Sequence, residues 1–71
     1  MLVLTRRPNE SVVLFVEGHR IEITARHPRR KTTHLAVEAP LAVRILRAEL
    51  IEKQFGPDWR EVDDATLLSV F

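Results

Sequence analysis

The chain has 71 residues and a mass of 8.2 kDa, is 45% hydrophobic and 30% charged, and carries a formal net charge of +1. That length holds one domain, the near-average hydrophobic content and small net charge exclude disorder as the default state, and the absence of cysteine excludes disulfides and thiolate metal sites. A single core of this size supplies only about 3–5 kcal/mol, so self-association is the expected source of further stability.

The first fifty residues read as short strands. Leu2-Val3-Leu4-Thr5-Arg6-Arg7 is apolar at its start and charged at its end, and Pro8-Asn9 breaks it with a turn. Ser11 to Val16 contains a continuous apolar run, short enough for a strand buried on both faces. Glu17-Gly18-His19 is a tight turn in which Gly18 takes positive φ. Arg20 to Ala25 alternates, which predicts one face in the core and one in water. His27-Pro28-Arg29-Arg30-Lys31 is a polar loop. Thr33 to Glu38 alternates again, with Thr33, Leu35 and Val37 on one face, and Ala39-Pro40 ends it because proline donates nothing to a ladder. Leu41-Ala42-Val43-Arg44-Ile45 is read as a fifth strand. Leu46, Leu50, Ile51 and Phe55 then follow helical spacing, with Glu49 and Lys53 as an i,i+4 pair and Gly56-Pro57 as the stop. The tail from Asp58 to Phe71 is too apolar to hang free, and Asp63 or Asp64 is placed to cap a short helix. Fold class is therefore mostly β: five short antiparallel strands followed by a C-terminal helix.

Charge is unevenly spread. Residues 1–54 hold ten Lys and Arg against six acids, a net of +4, whereas 55–71 hold one base against four acids, a net of −3. Arginine outnumbers lysine nine to two, and its planar fork suits phosphate oxygens and base edges. No run approaches the ~18 apolar residues of a membrane span. Met1-Leu2-Val3-Leu4 precedes Thr5-Arg6-Arg7, the wrong order for a secretory signal, and a cytoplasmic protein is the simplest expectation. No catalytic arrangement, Gly-rich phosphate loop or metal-ligand spacing appears, and no cofactor is expected. Five short strands leave open edges that invite pairing with another chain, and a homodimer is expected over a lone closed barrel.

Two segments carry a resemblance. Met1-Leu2-Val3-Leu4-Thr5-Arg6-Arg7 followed by Glu10, and Leu35-Ala36-Val37-Glu38-Ala39-Pro40 followed by Val43, Ile45, Arg47 and Glu49, resemble signature stretches of the carbon storage regulator family (CsrA/RsmA), bacterial RNA-binding translational regulators. The likeness covers residues 1–52. It implies an intertwined homodimer in which strands 1 and 5 of opposite chains lie adjacent, each such pair forming a site for a GGA element in a messenger leader hairpin. Binding over a ribosome-binding site blocks translation; small regulatory RNAs titrate the protein away, and a flagellar assembly-type protein acts as antagonist. Carried over residue by residue, the implied RNA contacts are Leu4, Thr5, Arg6, Arg7, Ala39, Pro40, Val43, Ile45 and Arg47. The chain departs from the common pattern at His34, Ala36, Glu38 and Leu46. Residues 1–54 then form the RNA-binding domain, and 55–71 an acidic, aromatic extension without counterpart.

The residues themselves leave alternatives. Arg6 and Arg7 face opposite ways in a regular strand, so one lines a given face while the other reaches phosphate or pairs with an acid, Glu10 being the candidate for Arg7. Leu4 is equally suited to a core. Trp59 either stacks on a base or packs the tail, with packing favoured. Aromatic residues are few, which fits main-chain readout better than stacking. A second reading is a protein-interaction module on the same fold, with the acidic extension masking the basic body.

Overall fold

The computed structural model describes residues 2–26 and 31–71. Met1 and the expected loop residues His27 to Arg30 lie outside the described residues. The elements are strands β1 (Leu2–Arg6), β2 (Ser11–Val16), β3 (His19–Thr24), β4 (Thr33–Val37) and β5 (Arg44–Arg47), helix α1 (Ala48–Phe55), a 3-10 turn (Trp59–Glu61) and helix α2 (Asp64–Leu68). The strands form two antiparallel sheets, a ribbon β1-β4 and a three-stranded sheet in the order β3-β2-β5.

Turn chemistry sets the registers. Pro8-Asn9 closes the first turn, with the Glu10 N–H donating to the Arg7 carbonyl at 3.0 Å and Asn9 at φ 67°. Pro at the second and Asn at the third turn position suit that geometry. Glu17 and Gly18 both take positive φ, 47° and 79°, as a two-residue hairpin that matches strand twist requires. The fifth strand starts later than its alternation suggested: Val43 N–H donates to the Pro40 carbonyl at 3.0 Å. Residues 40–43 are thereby closed into a turn, and the ladder begins at Arg44, opposite Phe15. Leu46 and Arg47 are consequently strand residues paired with Val13 and Val12, and α1 begins at Ala48 with no intervening loop. Gly56, at φ 88°, ends α1 by donating to the Glu52 carbonyl at 2.7 Å.

Alternation divides the larger sheet into two unlike faces. Val13, Phe15 and Leu46 lie on one face with Arg20, Glu22 and Arg44. This face is covered: Val13, Phe15, Ile51, Trp59 and Leu67 form the main core, flanked by Leu46, Ala48, Phe55, Val62 and Leu68. The expected docking of the tail is therefore onto its own chain, and Trp59 takes the packing role, 1% exposed. Arg20 fastens the tail along the rim, with Nε donating to Asp64 Oδ1 at 2.8 Å and its terminal nitrogens to the carbonyls of Arg60 at 3.0 Å and Val62 at 2.6 Å. Arg60 stacks on Trp59 at 4.3 Å and forks onto Glu22 at 3.0 and 2.7 Å. Arg44 donates to the Phe71 carbonyl.

The other face carries Val12, Leu14, Ile21, Ile23 and Ile45. Val12 is buried, but Ile21 and Ile23 remain 46% and 41% exposed. The core face that alternation predicts for β3 is thus open, because no described element of this chain lies over its end of the sheet.

Truncating Trp59 tests whether the tail is structural. Trp59→Ala removes a fully buried indole and is expected to cost about 3–5 kcal/mol, comparable to the whole stability of one small core. Urea denaturation followed by circular dichroism should show a large fall in midpoint; a change below about 1 kcal/mol would mean that the tail is dispensable.

Candidate nucleic-acid interface

β1 alternates inward and outward. Leu2, Leu4 and Arg6 share one face with their β4 partners Val37, Leu35 and Thr33; Val3 and Thr5 share the other with Ala36 and His34. Leu4 is buried, 4% exposed, and Thr5 is exposed, with its hydroxyl 3.4 Å from His34 Nδ1. Of the two arginines, Arg6 is the one that pairs with an acid. It is 3% exposed and donates from Nη1 to Glu49 Oε1 at 2.7 Å and from Nη2 to Glu49 Oε2 at 3.0 Å. Its Nε donates to the Thr5 carbonyl at 2.9 Å, and Nη1 also reaches the Ser11 carbonyl at 3.4 Å. Glu49 therefore goes to Arg6 rather than into the helix-surface pair expected with Lys53. Glu10 serves the turn instead of the Arg7 side chain, its Oε1 accepting from the Arg7 N–H at 2.7 Å. The Arg7 side chain is left on the surface.

The second group of expected contacts gathers around a hollow of about 230 Å³ lined by Ala39, Pro40, Val43 and Ile45 together with Leu2, Val37 and Leu41. Ala39 and Pro40 are exposed, Val43 and Ile45 half-buried. An apolar floor with main-chain groups at its rim can seat a base and leave its edges for N–H and C=O groups. Arg47 is exposed at the strand–helix junction, in extended conformation with φ −77° and ψ 129°. Arg7 is the chain neighbour of Arg6, and Arg47 stands two residues before Glu49, so the Arg6–Glu49 fork ties the β1 end that carries Arg7 to the strand–helix junction that carries Arg47. Leu4 and Arg6 are buried, on the same face of the β1-β4 ribbon that brings Leu2 and Val37 to the hollow. Glu49, Leu2 and Val37 were missed as site-forming residues; the signal for Glu49 was that Arg6 shares the phase of the apolar Leu2 and Leu4 on β1.

The fork sets the local electrostatics. Hydrogen bonding to Arg6 holds the Glu49 carboxyl below the ordinary glutamate range, and the same contact raises Arg6. Glu22 is lowered likewise by its bond to Arg60. Among the described residues no group of three or more His, Asp or Glu is placed to hold a metal ion, and no helix is long and apolar enough to cross a membrane.

These shifts have a sign in stability. A carboxyl whose folded value lies below its unfolded value contributes stability that is complete above the unfolded value, about 4.3 for glutamate. That contribution is lost as pH falls through the lower folded value. Melting temperature should therefore decline as pH drops below about 4.3, and Glu49→Gln and Glu22→Gln should each flatten the acid limb. An acid limb unchanged in both variants would remove the ion pairs from the account.

The family model described as the CsrA global regulator protein family matches residues 1–54. Three proteins named translational regulator CsrA are similar to the chain. That of Pseudarthrobacter chlorophenolicus is 35% identical, over 87% of this chain and 88% of its own length. That of a Nocardioides strain is 43% identical over 72% of this chain, which spans 58% of that protein. That of Campylobacter jejuni is 36% identical over 75% of this chain and 67% of its own. No solved structure matches. With the signature strands, the Ala-Pro turn and the strand–helix junction all inside the matched region, the chain belongs to the CsrA family of global regulators.

Proposed function

We propose that the chain is a homodimeric, sequence-specific RNA-binding protein that takes GGA elements in messenger leader hairpins and regulates translation, typically by blocking ribosome binding. The observation that carries this reading is the family match over residues 1–54, which contains the apolar hollow and the exposed Arg7 and Arg47. Loop bases are unstacked and present their edges to fixed main-chain groups. Guanine O6 and N7 accept a forked arginine, which suits Arg47. Arg7 serves phosphate. Thr5, Ala39 and Pro40 contribute main chain, and Val43 and Ile45 the apolar floor. Leu4 supports the site from beneath.

The dimer is supported by what the single chain leaves open. Among the described residues β1 and β4 each pair on one edge, as do β3 and β5, which leaves four edges unpaired, and unpaired ladders recruit strands. Ile21 and Ile23 lie open on the face away from the main core, and Leu2 and Val3 are 40% and 55% exposed. In the proposed dimer strand 1 of one copy lies beside strand 5 of the other, which brings Arg7 of one subunit toward Arg47 of its mate. Small RNAs with several GGA loops compete for the same groove. The setting is cytoplasmic, and a flagellar assembly-type protein is the expected class of antagonist. No catalytic role is assigned.

The tail bears on a second reading, in which the extension regulates RNA binding. Its polar contacts fall on Arg20, Glu22 and Arg44, none of them among the nominated RNA residues. Masking by direct cover is therefore not favoured, which leaves charge as the route by which the −3 extension would influence RNA.

Gel shift with a GGA hairpin and a scrambled hairpin tests the reading. The native chain should prefer the GGA loop, and affinity should fall steeply with salt as counterions are released. Arg47→Ala should lose roughly tenfold or more for the GGA hairpin, the worth of one forked base contact. Equal weak binding to both hairpins would reject the proposal.

A further inference from the structure

We infer that Arg6 and Glu49 form a positioning strut for RNA recognition, in which Arg6 donates to the protein and not to the nucleic acid. The inference rests on the RNA-binding reading above and changes the role of one residue within it. A guanidinium offers five N–H donors. In Arg6, Nε is used by Thr5, Nη1 by both Glu49 and Ser11, and Nη2 by Glu49, while only 4% of the side chain meets solvent. A phosphate would have to displace Glu49 to reach it, leaving a carboxylate beside the incoming polyanion.

The geometry gives the strut something to hold. Its acceptors come from three elements: the end of β1 at Thr5, the start of β2 at Ser11 and the first turn of α1 at Glu49. Arg7 follows directly on one side and Arg47 stands two residues from the other. With two bonds of 2.7 and 3.0 Å, the fork fixes both separation and orientation of strand and helix. Losing either partner frees β1 from α1 and loosens the two edges, one bearing Arg7 and one bearing Arg47, that the groove is built from.

Charge makes the test decisive. Glu49 is an acid near the proposed RNA surface, so neutralising it on electrostatic grounds alone should tighten RNA binding. The strut predicts the opposite. Glu49→Gln should weaken binding of the GGA hairpin roughly tenfold, mid-range for coupled neighbours. Arg6→Gln should weaken it by a similar factor. The double variant should be no worse than either single one. In each the slope of log affinity against log salt should match wild type, since no phosphate contact is lost, whereas a phosphate-binding arginine would lower the slope by about one. Circular dichroism melts accompany the titrations; should Arg6→Gln fail to fold, the Glu49→Gln result stands alone, because that carboxylate is 42% exposed and its replacement is isosteric. Unchanged or tighter binding by Glu49→Gln, or a salt slope reduced in Arg6→Gln, overturns the inference while leaving the RNA-binding reading intact. A native chain that fails to distinguish GGA from scrambled hairpins removes both.

Discussion

A buried positive charge cannot stand without a partner, and in this chain that constraint joins the two ends of the family-matched region. Arg6 sits on the inward phase of β1, where an isolated guanidinium would cost several kcal/mol, roughly the entire stability of a domain this small. Glu49 answers it from the first turn of α1, and the Thr5 and Ser11 carbonyls take further donors. No buried side-chain nitrogen or oxygen among the described residues is left without a hydrogen bond. Among the described residues the ribbon β1-β4 shares no ladder hydrogen bonds with the larger sheet, so the fork is a principal side-chain tie between two halves that must be in register for any surface spanning them.

The second constraint is the shortage of core. One face of the larger sheet is completed by the chain itself, with Trp59 and Leu67 supplied by residues beyond 54, where the family model ends. The acidic tail is therefore part of the folded body, pinned by Arg20 and by the Arg60–Glu22 pair. The opposite face is not completed. Ile21 and Ile23 remain open there, on a sheet with unpaired edges. A second copy would cover both deficits at once, and in the proposed dimer the stability of the fold would be linked to the formation of the groove for RNA.

Local pattern made much of this legible. The apolar run of β2, the Glu17-Gly18 hairpin, the alternation of Thr33 to Val37 and the Gly56 stop each depend on neighbours within a few residues, and each is found in the structure. The start of β5 was not legible, because a turn bond from Val43 to Pro40 and the register against Phe15 decide it. Alternation in Leu41 to Val43 could not reveal either. The partners of Arg6, Arg20 and Arg60 were hidden for a similar reason: they lie some forty residues away in sequence. Nearest-neighbour logic paired Glu49 with Lys53 and Arg7 with Glu10; tertiary packing instead gave Glu49 to the buried Arg6, where the cost of an unpaired charge is greatest. Of the nominated contacts, Arg7, Ala39, Pro40 and Arg47 are exposed, whereas Leu4 and Arg6 are buried, a difference that the phase of β1 decides.

The account requires that RNA be held by two chains acting together. Native mass spectrometry of the intact protein with a GGA hairpin reads that stoichiometry directly. The predicted species contain two 8.2 kDa chains carrying one or two hairpins. A complex of one chain with one hairpin, at concentrations where binding is saturated, would contradict it.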